Sequence, residues 1–161
     1  MQRFPPLELH HFVTETTKGR VRYPFLLSSS SPLLFNLSCF LANRYQNHFV
    51  GKGHLGYQTM DHLPINRGFL THVGYLAGSE DYYHGKQGTV HDMWLDRLPG
   101  FQVVKEMDYS ANYYSTTAAK LIEQHDQTNP MFMYFAIQNV HSPYELPEAF
   151  ETKVLLWRAS F

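Results

Sequence analysis

Hydrophobic and polar positions fall into readable order over only part of the chain. His48-Phe49-Val50 is a short apolar run that stops at Gly51, and it predicts a strand with a tight exit turn, because glycine tolerates positive φ. Gly51-Lys52-Gly53-His54-Leu55-Gly56 then reads as a loop. Three glycines in six residues let its backbone pass close to a ligand or another segment, and Lys52 and His54 are its polar side chains. Farther on, Tyr114, Ala118, Leu121 and Ile122 recur at i, i+4, i+7 and i+8, the stripe of a half-buried helix that Asn129-Pro130 closes off. Met131 to Ile137 is apolar without alternation, as expected of a strand covered on both faces. A helix followed directly by such a strand is half of a βαβ unit, so the expected class is α/β with a mainly parallel sheet.

Residues 1–40 show neither alternation nor a helical stripe, and they contain Pro5-Pro6 and the serine run Ser28 to Ser31. They carry four Lys/Arg against two Asp/Glu, whereas the remainder carries nine against twelve. The expected division is a poorly defined N-terminal arm over 1–40, a folded unit over 41–151 and a divergent end over 152–161. The apolar patches between Tyr23 and Ala42 are interrupted at Ser28 to Pro32, which fits a serine-rich loop better than an export signal or a membrane anchor.

A length of 161 residues suits one domain, and 43% apolar with 16% aromatic residues is enough to build a core. Thirteen Lys and Arg against fourteen Asp and Glu give a net charge of -1, which provides no basic field for a phosphate backbone. The single Cys39 excludes an intrachain disulfide and any zinc site built from several thiolates.

In open parallel sheets, ligands sit outside the carboxyl ends of the strands. Lys52 and His54 follow one buried-strand candidate and His141 follows another, within Gln138-Asn139-Val140-His141-Ser142-Pro143, so a shared sheet would bring all three to one rim. One ammonium and two imidazoles suit an anionic substrate, with phosphate and sulfate esters the best fit. Taken singly, Lys52 reads more simply as a solvated loop lysine and His54 as a satisfied loop histidine. His10, His11, His48, His62, His72, His84, His91 and His125 have no metal-ligand spacing and read as surface or core-edge residues. Asp61, Glu80, Asp81, Asp92 and Asp96 lack a calcium-loop signature and read as solvated charge. Asn36-Leu37-Ser38 fits the N-glycosylation pattern inside the arm.

Gly51 to Gly56, Leu63-Pro64-Ile65-Asn66-Arg67-Gly68-Phe69, Gly74-Tyr75-Leu76-Ala77-Gly78-Ser79-Glu80-Asp81-Tyr82-Tyr83, Tyr113 to Thr116 and Gln138 to Pro143 occur in an order and spacing that resemble the sulfatase family, in particular its arylsulfatase B branch. The resemblance covers about Leu41 to Glu151. It implies part of an alkaline-phosphatase-like α/β sandwich in a hydrolase of sulfate esters on glycosaminoglycans or aryl groups, with bound calcium and a lysosomal or secreted location. In that family a formylglycine, hydrated to a diol, attacks sulfur. Carried over by position, Lys52 would hold the sulfate and a diol oxygen, His54 would hydrogen-bond the diol and take its proton, and His141 would contact a sulfate oxygen and the leaving group.

This chain departs from the pattern at several points. The nucleophile motif C-x-P-S-R is not found: Cys39 is followed by Phe40-Leu41-Ala42-Asn43. The aspartate pair that precedes that motif, and the Asp-Asn pair and lysine expected after His141, have no counterparts, so the calcium ligands are not expected among these residues. Gly53 stands where the family's G-K-W-H-L-G carries tryptophan, which is expected to loosen the loop. The sequence therefore leads to a sulfatase-type catalytic-domain segment without turnover of its own, the alternative being a noncatalytic sulfated-sugar binder or an interaction partner of a full-length relative.

Overall fold

The strand read from His48-Phe49-Val50 is β1 (Gln46–Gly51), and it runs through the interior of a five-stranded sheet. The computed structural model describes residues 44–97, 100–105 and 107–151. After β1 come two 3-10 turns (Met60–His62 and Pro64–Arg67), β2 (Thr71–Tyr75), a small hairpin of β3 (Lys86–Gln87) and β4 (Val90–His91), β5 (Met93–Arg97), β6 (Gly100–Val103), α1 (Ser110–Glu123) and β7 (Met131–Ala136). The arm over 1–40, the end over 152–161, Cys39 and Asn36-Leu37-Ser38 lie outside the described residues.

The sheet order is β6-β5-β2-β1-β7. β1 is parallel to both of its neighbours, while β5 is antiparallel to β2 and to β6, so four of the five strands point the same way. This is the α/β, mainly parallel sheet that the sequence predicts. The chain leaves β1 for β2 on one side and later returns through α1 to β7 on the other. The carboxyl end of β1 is therefore a topological switch point, the place where open α/β sheets form a crevice.

Adjacent residues of β1 face opposite sides and both are buried. Val50 packs with Tyr75, Met93, Tyr114 and Leu121 beneath α1, and Phe49 packs with Phe69 on the other face. Register places Tyr134, Phe49, His72 and Asp96 in one row across β7, β1, β2 and β5. Within that row Phe49 meets Tyr134 edge-on at 4.9 Å and His72 at 5.0 Å. The His72 Nδ1 lies 2.9 Å from Asp96 Oδ2, and both residues are fully buried.

Three expectations change. Strand β7 is not covered on both faces, since Tyr134 and Phe135 are each 44% exposed. β7 is the edge strand of the sheet, and on the helix face α1 packs against β1 and β2, which leaves Phe135 less covered. The inward stripe of α1 contains Ser110, Tyr114, Thr117, Ala118 and Leu121, whereas Ile122 points outward at 60% exposure. The helix ends at Glu123, and the step to β7 is a turn in which the Asp126 carboxylate accepts hydrogen bonds from the Thr128 N–H and hydroxyl and from Asn129 Nδ2. Among the described residues, no helix is long and apolar enough to cross a membrane.

Candidate active-site rim

The Gly51–Gly56 loop is tied down by three successive backbone N–H groups. Lys52 N–H donates to the Ala136 carbonyl at 2.7 Å, Gly53 N–H to Tyr75 at 2.7 Å and His54 N–H to Leu76 at 3.1 Å. The loop thus bridges the carboxyl ends of β7 and β2, with Lys52 half-buried and His54 exposed. The Gly53 N–H is one of the three ties. A Cβ on Gly53 would stand 2.9 Å from the Tyr75 carbonyl oxygen, so a larger residue there needs a different local backbone. Gly53 borders a small crevice lined also by Phe49, Leu55, His62, Arg67, Phe69 and Leu76.

His54 has φ +50°, in the left-handed region that a β-carbon disfavours by about 1–2 kcal/mol. Its ring lies over Gly78, where an added Cβ would come within 2.9 Å of Nε2. The first glycine-rich segment therefore rests on the Gly74 to Tyr83 string that follows β2. A non-glycine residue held at positive φ and carrying a proton-transfer group is a common feature of functional sites.

His141 follows β7 on the same rim, since Gly51 and Ala136 are register partners. Its ring is exposed and its Nδ1 lies 2.8 Å from the Ser142 carbonyl oxygen. Its main chain is bound to Tyr82, whose hydroxyl donates to the His141 carbonyl at 2.9 Å and accepts from the His141 N–H at 3.2 Å. The three residues predicted from sequence thus sit after the carboxyl ends of two adjacent parallel strands, Lys52 and His54 after β1 and His141 after β7.

Acidic residues assigned to solvent by sequence include two that are 1% exposed, Glu80 and Asp96. Glu80 Oε1 accepts the Tyr114 hydroxyl at 2.7 Å, and the Glu80 carbonyl accepts from the Gln138 side-chain amide. Burial is the main cause that pushes the Glu80 carboxyl up to about 8; the Tyr114 hydrogen bond opposes it, and the nearby Asp92 and Asp81 charges add to it. For Asp81, burial acts upward but is outweighed by hydrogen bonds from His84, Lys86 and Tyr83, which hold its carboxyl below the usual value. His48 and His72 are core residues rather than surface ones. Burial, with His125 adding to it, lowers His48 to about 4, and its Nδ1 is 2.8 Å from Thr71 Oγ1. Thr71-His72-Val73 offered a sequence signal for these residues, a short β-rich run next to Phe69-Leu70, but its polar members mask a strand whose every residue is buried.

Among the described residues, no three His, Cys, Asp or Glu side chains come together as a metal site. The calcium implied by the resemblance therefore has no ligand set among the described residues.

The sulfatase family model matches residues 7–156. Mouse (Mus musculus) arylsulfatase J is 38% identical over 107 residues, which make up 64% of this chain and 18% of that protein. Among solved structures, the crystal structure of Ps i-CgsB superposes with a TM-score of 0.61 at 25% identity, covering 73% of this chain and 29% of the other. The same protein in complex with k-i-k-neocarrahexaose gives a TM-score of 0.57 at 22% identity, covering 75% and 28%, which bears on the fold alone. The chain spans less than a third of the length of each of these relatives. Its mostly parallel sheet is part of the alkaline-phosphatase-like arrangement, and the strings that line its rim agree with a match running over nearly the whole sequence: the chain belongs to the sulfatase family.

Proposed function

We propose that this chain forms the anion-gripping side of an arylsulfatase-type site, of the B-like branch, for sulfate esters of glycosaminoglycans or aryl groups. The observation that carries the reading is the tethering of the Lys52–His54 loop to the ends of both strands that flank β1, on the rim from which the His141 segment departs. In this reading Lys52 supplies a point charge for the sulfate oxygens, His54 donates to or takes a proton from the attacking group, and His141 faces a sulfate oxygen and the leaving oxygen. Charge builds on those oxygens as the S–O bond breaks, so donors held in place by the backbone favour the transition state over the ground state. The left-handed backbone at His54 supports a functional role for that ring. The 38% identity to arylsulfatase J supports the arylsulfatase assignment, and with it a lysosomal or secreted setting.

The chain by itself binds rather than hydrolyses the ester in this reading. Covalent sulfate transfer begins at a nucleophile, and Cys39 with Phe40-Leu41-Ala42 after it does not provide the C-x-P-S-R context. That same context favours the second reading, a noncatalytic binder of sulfated sugars that acts beside a full-length relative.

The test is an isotope-resolved NMR titration of the purified chain with sodium sulfate and with 4-nitrophenyl sulfate at low ionic strength, using chloride as control. The expected result is saturable shifts at Lys52, His54 and His141, with affinity reduced about tenfold or more in Lys52→Ala, the scale of a lost hydrogen bond to a charged group. Shifts confined to other residues, or unchanged affinity in Lys52→Ala, would overturn the assignment. Release of 4-nitrophenol by the chain would overturn the binding-only part.

A further inference from the structure

His141 lies five residues beyond the last ladder pair of β7, so strand hydrogen bonding does not fix it. Two tyrosines take over that task. The Tyr82 hydroxyl closes on both main-chain polar groups of His141, donating to its carbonyl and accepting from its N–H. The Tyr82 ring is 1% exposed and stacks on Tyr109 with centroids 5.4 Å apart and planes 14° apart. The Tyr109 hydroxyl accepts from Asn139 Nδ2 at 2.9 Å and donates to the Glu145 carbonyl at 3.1 Å. The Glu145 carboxylate in turn accepts the Tyr82 N–H at 2.6 Å. The segment is therefore gripped at residues 139, 141 and 145 by one stacked pair, while the imidazole of His141 stays in solvent. Burial raises the Tyr82 phenol above its ordinary value, so it remains the neutral group that can donate and accept at once.

We propose that Tyr82 is a positioning residue for His141: its hydroxyl fixes the His141 peptide at the sheet rim and thereby sets where the imidazole meets an anion. The second half of this inference rests on the sulfate-ester reading given above, whereas the first half does not. Tyr82→Phe keeps the ring and its stack and removes only the hydroxyl, so a packing role survives the substitution and a positioning role does not.

The experiment compares the full chain with Tyr82→Phe and Tyr109→Phe by amide hydrogen exchange and by sodium sulfate titration. The His141 amide should be protected in the native chain, exchange about tenfold faster in Tyr82→Phe, and keep its protection in Tyr109→Phe. The sulfate-induced shift at the His141 ring should shrink in Tyr82→Phe while the response at Lys52 persists. An unprotected His141 amide in the native chain overturns the clamp without recourse to any variant, even if Tyr82→Phe fails to fold. Equal His141 exchange in the native chain and Tyr82→Phe overturns it as well, and so does a sulfate response that falls equally at Lys52 and His141. Absence of any sulfate response in the native chain overturns the sulfate reading and the anion-directed half of this proposal, and the amide exchange still decides the clamp.

Discussion

The two sides of the rim are built by different means. On the Lys52–His54 side, position is set by backbone: three N–H groups tie the loop to the ends of β7 and β2. On the His141 side it is set by side chains, with Tyr82, Tyr109, Gln138 and Glu145 holding a segment that has left the ladder. The first kind of support needs little from residue identity except close approach, which is why it is written in glycine. The second needs particular aromatic and carboxylate groups, which is why the string after β2 ends in Glu80-Asp81-Tyr82-Tyr83.

The sharpest way to break the backbone-held side is to add one carbon. A Cβ on Gly74 would stand 1.9 Å from the Gly51 carbonyl oxygen, backbone against backbone with no side chain able to yield. Gly74→Ala should destabilise the chain by about 3 kcal/mol or more and lower the thermal midpoint accordingly, and a melt within a few degrees of native would contradict the packing described for β1 and β2.

An intermediate effect comes from the side-chain-held half. Glu80 has a folded-state value of about 8 against an ordinary 4.5, so its contribution to stability is full below about pH 4.5 and is lost as pH rises through 8. His48 works the other way: lowered to about 4 from 6.5, it supports the fold above pH 6.5 and loses that support as pH falls through 4. Between pH 6.5 and 8 Glu80 contributes a slope, on the order of 1 to 2 kcal/mol in total, and His48 contributes little. Chemical denaturation across that window should show declining stability in the native chain and a flattened profile in Glu80→Gln; parallel profiles would remove Glu80 from the account.

The smallest effect expected is at His54. His54→Gly relieves the left-handed backbone and adds chain entropy to the unfolded state, leaving a net gain of about 0.5 kcal/mol. Anion affinity should fall in the same variant. A stability loss above about 1 kcal/mol would mean that the His54 ring is a packing element over Gly78 rather than a group retained for binding.

Legibility followed the periodicity of each element. β1 and α1 could be read because Phe49-Val50 end at a glycine and because Tyr114, Ala118 and Leu121 recur on one helix face. β2 was hidden by Thr71, His72 and Gly74, whose polarity and lack of bulk disguise a fully buried strand, and whose burial is made tolerable by partners in other strands such as Asp96. Lys52 and His54 stood out through the glycines around them, and His141 through the strand before it. Nothing local indicated that Tyr82 would hold His141, because 59 residues separate them and only the return of the chain from β2 through α1 to β7 brings them together. The burial of Glu80 is hidden from the sequence for the same reason, since its hydroxyl partner Tyr114 lies 34 residues away on the helix.

Central to all of this is the claim that Lys52 and His141 act on one anion, and a double-mutant cycle measures it directly. Sodium sulfate affinity would be determined by NMR for the native chain, Lys52→Ala, His141→Ala and the double variant. The double variant should lose less than the sum of the single losses, with a coupling above about 0.5 kcal/mol, as for groups that share a ligand. Strictly additive losses, or no loss in His141→Ala, would show that the two sides of the rim do not meet at one bound sulfate.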